Sequence, residues 1–225
     1  RSVSFGLSGY HVLRGREETS FGAFRCGSLR DRFSQIDMLH LDLWWRGHNV
    51  LVDGGSYLYN GPEPWHAHFV RTGSHNTATV DGRDQMLHFR KFKCLYWTQA
   101  KLLQFDDRGA FVLCAGEHYG YRRHPGKCVH RRSILFVKDD LWIVADRFGG
   151  EGEHAVRLHW LGGDCPWTAA ADRGAELHLE TLAGPFTVQV LDDQARPCGG
   201  DVVAGAADPP RGWLSRYYGE KVPVP

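Results

Sequence analysis

Apolar and polar positions alternate with a period of two along most of this chain, punctuated by turn residues. Leu39, Leu41 and Leu43 alternate with His40, Asp42 and Trp44. Arg46-Gly47-His48-Asn49 then turns the chain into Val50-Leu51-Val52-Asp53. Residues 96–105, the turn Asp106-Asp107-Arg108-Gly109 and the return 110–115 predict one hairpin. Residues 128–137 and 141–146, joined by Lys138-Asp139-Asp140, predict another, and 154–161, 175–181 and 185–191 predict further strands. No window supports a long amphipathic helix, and eight Trp, eight Tyr and twelve Phe suit pleated surfaces. The pattern predicts an all-β fold, a large antiparallel β-sandwich of two sheets filling residues 1–225 as a single domain. The weakest order is expected over 192–211, rich in Gly, Ala, Pro and Asp.

Charge adds an exclusion. With 27 basic and 26 acidic side chains the net charge is +1, so no global field recruits nucleic acid or anionic lipid. No stretch approaches the ~20 apolar residues of a membrane span. Arg1-Ser2-Val3-Ser4-Phe5-Gly6 lacks the apolar segment of a signal peptide, and the chain reads as an excised domain. The six cysteines are scattered without a close pair, which argues against a zinc ribbon or a redox Cys-x-x-Cys and for buried free thiols.

Candidate chemistry gathers at Asp53, at the end of an apolar strand, and at His75 in Arg71-Thr72-Gly73-Ser74-His75-Asn76-Thr77. A carboxylate and an imidazole brought together suit a divalent metal or a proton transfer, while the plainer reading gives Asp53 and Asn76 turn bonds and His75 a satisfied core position. A two-residue turn at Gly47-His48 would pair Trp45 with Val50, Leu43 with Val52 and Asp42 with Asp53, placing His40 diagonal to Asp53. Trp65-His66-Ala67-His68 reads as an exposed loop with incidental histidines. Arg122-Arg123-His124 and His130-Arg131-Arg132 read as basic surface clusters that could meet an acidic sugar.

Several ordered segments resemble the C-terminal domain of the heparinase II/III family of polysaccharide lyases. They include Gly9 to Arg14, Leu39-His40-Leu41-Asp42-Leu43-Trp44-Trp45-Arg46-Gly47, Asp53-Gly54-Gly55-Ser56-Tyr57-Leu58-Tyr59, and Ser74-His75-Asn76-Thr77 through Gln85. His130-Arg131-Arg132-Ser133, Trp142 to Asp146 and Gly212 to Gly219 extend the likeness. The resemblance implies a supersandwich-like module that follows a helical toroid domain and acts on acidic polysaccharide, such as glycosaminoglycan. Family enzymes cleave uronic-acid glycans by β-elimination in a cleft between the two domains, in the bacterial periplasm or outside the cell. A tyrosine and an asparagine of the helical domain supply much of the catalytic set. Within this chain the resemblance implies His40 and Arg71 as catalytic candidates and Trp44, Tyr57 and Tyr59 as aromatic faces for sugar rings. It also implies a zinc ion held by a His, an Asp and a second His, aligned here with Gln35, Asp53 and His75. Gln35 is a poor zinc ligand, so the implied site is weak or vacant unless His40 or His48 stands in. A catalytic histidine of some members is unmatched at Arg32-Phe33-Ser34. The competing expectation is a non-catalytic glycan-binding or scaffolding module.

Overall fold

The first five strands form one antiparallel sheet in chain order: β1 (Val3–Phe5), β2 (Tyr10–Arg14), β3 (Phe21–Arg25), β4 (Leu41–Trp45) and β5 (His48–Leu51). A single helical turn α1 (Trp65–His68) and a 3-10 turn at Thr72–Ser74 lead to β6 (Ala78–Val80) and the hairpin β7 (Leu87–Arg90) with β8 (Lys93–Leu95). A second antiparallel sheet has the order β12-β11-β10-β9, from β9 (Ala100–Asp107), β10 (Phe111–His118), β11 (Val129–Val137) and β12 (Leu141–Gly149). β13 (Val156–Leu158) pairs with β6, and β14 (Trp167–Ala170), β15 (Glu176–Thr181) and β16 (Gly184–Gln189) make a three-stranded sheet. Short ladders of β17 (Ala206–Ala207) with β18 (Pro210–Arg211) and β19 (Trp213–Leu214) with β20 (Val222–Pro223) complete the chain. The structure is a computed structural model that describes residues 1–30, 32, 35–138, 141–170 and 175–225. The predicted turn residues Asp139 and Asp140 lie outside the described residues, as do Phe33 and Ser34.

The all-β antiparallel expectation holds, and burial follows the period of two along β10 and β11. Inward residues of the first sheet (Leu13, Phe24, Leu41, Leu43) share one buried cluster with Val112, Cys114, Ile134 and Phe136 of the second and Leu177 and Leu179 of the third. Apolar burial on this scale is the main force holding the sheets together. All six cysteines are free thiols, and Cys26, Cys94, Cys114 and Cys128 are buried. Residues 192–211 carry only the two-residue strands β17 and β18.

Three readings of the sequence need correction. The β4–β5 turn is Arg46-Gly47, both with positive φ (48° and 83°), the geometry of a tight hairpin turn. Trp45 therefore pairs with His48 and Trp44 with Asn49, and a bulge then sets Leu43 opposite Leu51. Asp42 and Asp53 are not a cross-strand pair, and Asp42 instead accepts the Asn49 side-chain amide at 3.3 Å. Trp65–His68 is a helical turn rather than a loop. In the expected basic surface cluster, His130 and Arg132 are fully buried on β11 and only Arg131 is exposed, paired with Glu117.

Asn76 ties the layers together. Its side-chain Nδ2 donates to the carbonyls of Leu41 (3.0 Å) and Val52 (3.1 Å), and its Oδ1 accepts the Leu161 amide at 2.7 Å. No part of Asn76 is exposed, so each bond is made away from competing water. Asn76→Ala is expected to destabilise the fold by about 3 kcal/mol or more, because it strands two buried carbonyls and an amide at roughly 1–3 kcal/mol each. Asn76→Asp should fare no better, since a carboxylate cannot donate to the carbonyls. Urea unfolding measures both; a loss within about 0.5 kcal/mol of wild type, the range of a neutral surface change, would contradict this account.

Candidate functional site

Asp53 leaves the end of β5 just before Gly54-Gly55. A Cβ on Gly55 (φ 85°) would meet the Ser215 carbonyl oxygen at 2.0 Å, so only glycine lets the chain pass. The Gly55 amide donates to Asp53 Oδ1 at 2.8 Å, and Oδ2 faces His75 Nδ1, also at 2.8 Å. His75 emerges buried from the 3-10 turn, whose Thr72 carbonyl accepts the His75 amide. His40 follows Leu39, whose left-handed φ of 61° redirects the chain into β4. The His40 Nε2 lies 3.7 Å from the same Asp53 Oδ2, and the ligand-type atoms of His40, Asp53 and His75 all lie within 4.8 Å of one another. Gln85 braces this corner, exchanging bonds of 2.9 Å with both the amide and the carbonyl of Met38.

The trio is electrostatically graded. Burial pushes His40 down to about 4, against the raising effect of Asp53, so this ring is neutral at pH 7. Burial also acts to lower His75, but the Asp53 charge and hydrogen bond outweigh it and hold His75 above the ordinary value. Burial acts to raise Asp53, and here the charge and hydrogen bond of His75, then His40 and the Gly55 amide, prevail and keep it well below the carboxylate range. In the absence of metal, the His75 proton occupies the space between ring and carboxylate.

The donor set fits a divalent transition metal. Two imidazoles and one carboxylate are a zinc-type set, and His40 Nε2 and His75 Nε2 are buried with no hydrogen-bond partner. The Asn76 amide donates to His40 Nδ1 at 2.8 Å, so the neutral ring carries its own proton on Nε2. A cation would displace that proton and any proton on the His75 nitrogen it binds.

The structure separates the other sequence-predicted residues. Gln35 is outside the trio: its Nε2 is committed to the Gly55 carbonyl at 2.8 Å, and His40 takes the third place. His48 on β5 pairs with Trp45 of β4 and is not in the group. His40, expected to face substrate, has a side chain only 8% exposed. Arg71 is exposed and lies 3.9 Å from Asp84. Trp44 stacks on Phe21 (centroids 5.7 Å apart) beside a cavity lined by Asp42, Asp53 and Asp164, with Arg216 paired to Asp164 at 3.0 Å. Tyr57 packs against Phe69 and Trp65, whereas Tyr59 is exposed and touches Phe92 and Tyr218, both exposed as well.

The family description "Heparinase II/III-like, C-terminal" matches residues 1–224. The chain belongs to this family. It is 26% identical over 168 residues to a heparin-sulfate lyase of Bacteroides stercoris, covering 71% of this chain and 22% of that protein. A heparin-sulfate lyase of Pedobacter heparinus is 23% identical over 133 residues, covering 56% of this chain and 18% of that one. The chain thus spans about a fifth of the length of these curated relatives. The crystal structure of heparan sulfate lyase HepC from Pedobacter heparinus superposes with a TM-score of 0.77 at 19% identity, covering 100% of this chain and 32% of that one. A heparinase III gene product gives a TM-score of 0.78 at 20% identity, covering 99% and 32%.

This heparinase II/III-like domain also carries a basic, aromatic cavity of about 370 Å³ lined by Arg32, His66, His88 and Lys91 with Tyr59 and Phe92. Sequence reading found Tyr59 but missed His88, Lys91 and Phe92, which lie on or between β7 and β8 and meet Tyr59 only in the fold. His40, which the sequence offered together with His48 as a stand-in for Gln35, is the one brought beside Asp53 and His75, and His40-Leu41-Asp42 has the same His-x-Asp spacing.

In metal-free protein His75 should titrate above 6.5 and His40 near 4, as read by NMR of the ring protons. Asp53→Asn should lower His75, because the charge and hydrogen bond that chiefly oppose burial are weakened and only the smaller raising effects of Asp37 and the Val70 backbone remain. Because the folded-state value of His75 is raised, its pairing stabilises fully below 6.5 and the contribution is lost as pH rises through the higher value. A His75 that stays high in Asp53→Asn would remove Asp53 as the cause.

Proposed function

We propose that this chain is the β-sandwich module of a lyase that cleaves uronic-acid-containing glycans by β-elimination, in a cleft completed by a helical toroid domain, and that His40, Asp53 and His75 hold a zinc ion. The observation that carries the reading is this trio, two buried imidazoles converging on one carboxylate in a chain of the heparinase II/III-like family. In this reading Gln35, whose Nε2 donates to the Gly55 carbonyl, is not a ligand, and the two imidazoles and the carboxylate supply the protein donors. A zinc ion there would supply fixed positive charge and tie together the segments before β4, after β5 and before β6.

The chain's own residues account for part of the chemistry. β-Elimination needs a cation for the sugar carboxylate, a base for the α proton and an acid for the leaving oxygen. Arg71 is exposed, and a guanidinium suits bidentate pairing with a carboxylate or sulfate. Arg32 and Lys91 line the cavity beside Tyr59 and Phe92, pairing charge with apolar ring faces for an acidic sugar. His40 is buried and hydrogen-bonded, so the base and acid come from the helical domain in this reading. The exposed rings of Tyr59, Phe92 and Tyr218 also support a second reading, a glycan-binding module without catalysis.

Elemental analysis after dialysis should find about one zinc per chain in wild type and in Gln35→Ala, and little or none in His40→Ala or His75→Ala. Affinity should weaken as pH falls, since protons compete for both rings. Zinc lost in Gln35→Ala but kept in His40→Ala would reverse the ligand assignment. The isolated chain should bind heparin without forming unsaturated uronate, and the longer natural protein should form it. Binding without elimination by the longer protein would favour the second reading.

A further inference from the structure

Behind the trio lies a buried polar chain that alternation on β11 turns inward. The Gly120 amide donates to His118 Nδ1 at 3.2 Å, which places the His118 proton on Nε2, 3.2 Å from His130 Nδ1. His130 then carries its own proton on Nε2 and donates to Asp146 Oδ1 at 2.6 Å. Asp146 also accepts Arg132 Nε at 2.8 Å and Nη2 at 3.0 Å. The remaining Arg132 nitrogen, Nη1, donates to the Leu39 carbonyl at 2.8 Å and the Asn76 carbonyl at 2.5 Å. Those carbonyls belong to the residue before His40 and the residue after His75, and the Asn76 amide in turn holds His40 Nδ1.

Arg132 and His118 have no exposed surface. Burial acts to raise Asp146, yet Arg132 and His130 outweigh it and keep the carboxylate charged; burial lowers both histidines, which stay neutral. A buried ion pair of this kind seldom stabilises a core better than apolar packing would, so its worth here lies in geometry. One planar group with fixed donors reaches both backbone segments that present the imidazoles.

We propose that Arg132, aligned by Asp146 and the His130–His118 chain, is a positioning residue for the His40/Asp53/His75 centre. This rests on the metal reading above. The test uses Asp146→Asn, Arg132→Lys and a core control, Val112→Ala on β10. Zinc affinity is read by competition with a chelating dye, and exchange of the Asn76 amide proton is read in metal-free protein. Both site variants should bind zinc roughly tenfold or more weakly, the usual effect of removing a group that orients metal ligands. They should also exchange the Asn76 amide faster, while Val112→Ala matches wild type in both readouts despite losing stability. If Arg132→Lys does not fold, Asp146→Asn carries the test. Wild-type zinc affinity in a folded variant overturns the proposal, as does an equal loss in Val112→Ala. A wild type that holds no zinc refutes the metal reading instead, and the Asn76 exchange rate alone then decides whether Arg132 positions the trio.

Discussion

Asn76 is the constraint on which the rest of this structure hangs. Its amide donates to His40, its carbonyl accepts from Leu41 and Arg132, and its side chain holds Leu41, Val52 and Leu161. Every polar group of one buried residue is thereby used, and four separate stretches of chain converge on it. Apolar burial drives the sheets together without direction. Hydrogen bonds of this kind give them a unique mutual placement, and the candidate site is the corner where that placement is most restrictive.

The same corner holds two charged carboxylates, Asp53 half-buried and Asp146 nearly inaccessible. Asp53 is matched by His75, and Asp146 by Arg132 and His130. In each case burial opposes ionisation of the carboxylate and the partner prevails. Arg132 bonds to the carbonyls of Leu39 and Asn76, so the two charged groups are mechanically connected through the backbone.

Surface charge separates by face. The cavity beside Trp44 is lined by Asp42, Asp53 and Asp164 with Arg216 paired to Asp164, whereas the one beside Tyr59 carries Arg32 and Lys91 together with His66 and with His88, whose pKa burial pushes down. Such surface charges act over distances limited by salt screening to about 10 Å. Of three aromatic residues singled out from the sequence, Tyr59 is the exposed one, and it lies beside Arg32 and Lys91.

Much of the fold was legible in the residues themselves, because alternation and turn chemistry are local. β9 to β12 and their burial pattern follow from a period of two; the same alternation places His130 and Arg132 on the face of Ile134 and Phe136, although their charge reads as a surface cluster. Asp53 and His75 were likewise legible as a pair. Sequence alone could not choose between Gln35 and His40 as the third member, since both lie within a few residues of the right place. That choice was made by the left-handed turn at Leu39 and by the Asn76 and Arg132 bonds, which bring together residues far apart in the chain. The β4–β5 register escaped for a related reason: one residue of turn placement and one bulge decide it, and their energies depend on how the finished sheet packs. Local pattern determined which residues form strands and which faces they bury; long-range hydrogen bonding decided which side chains meet.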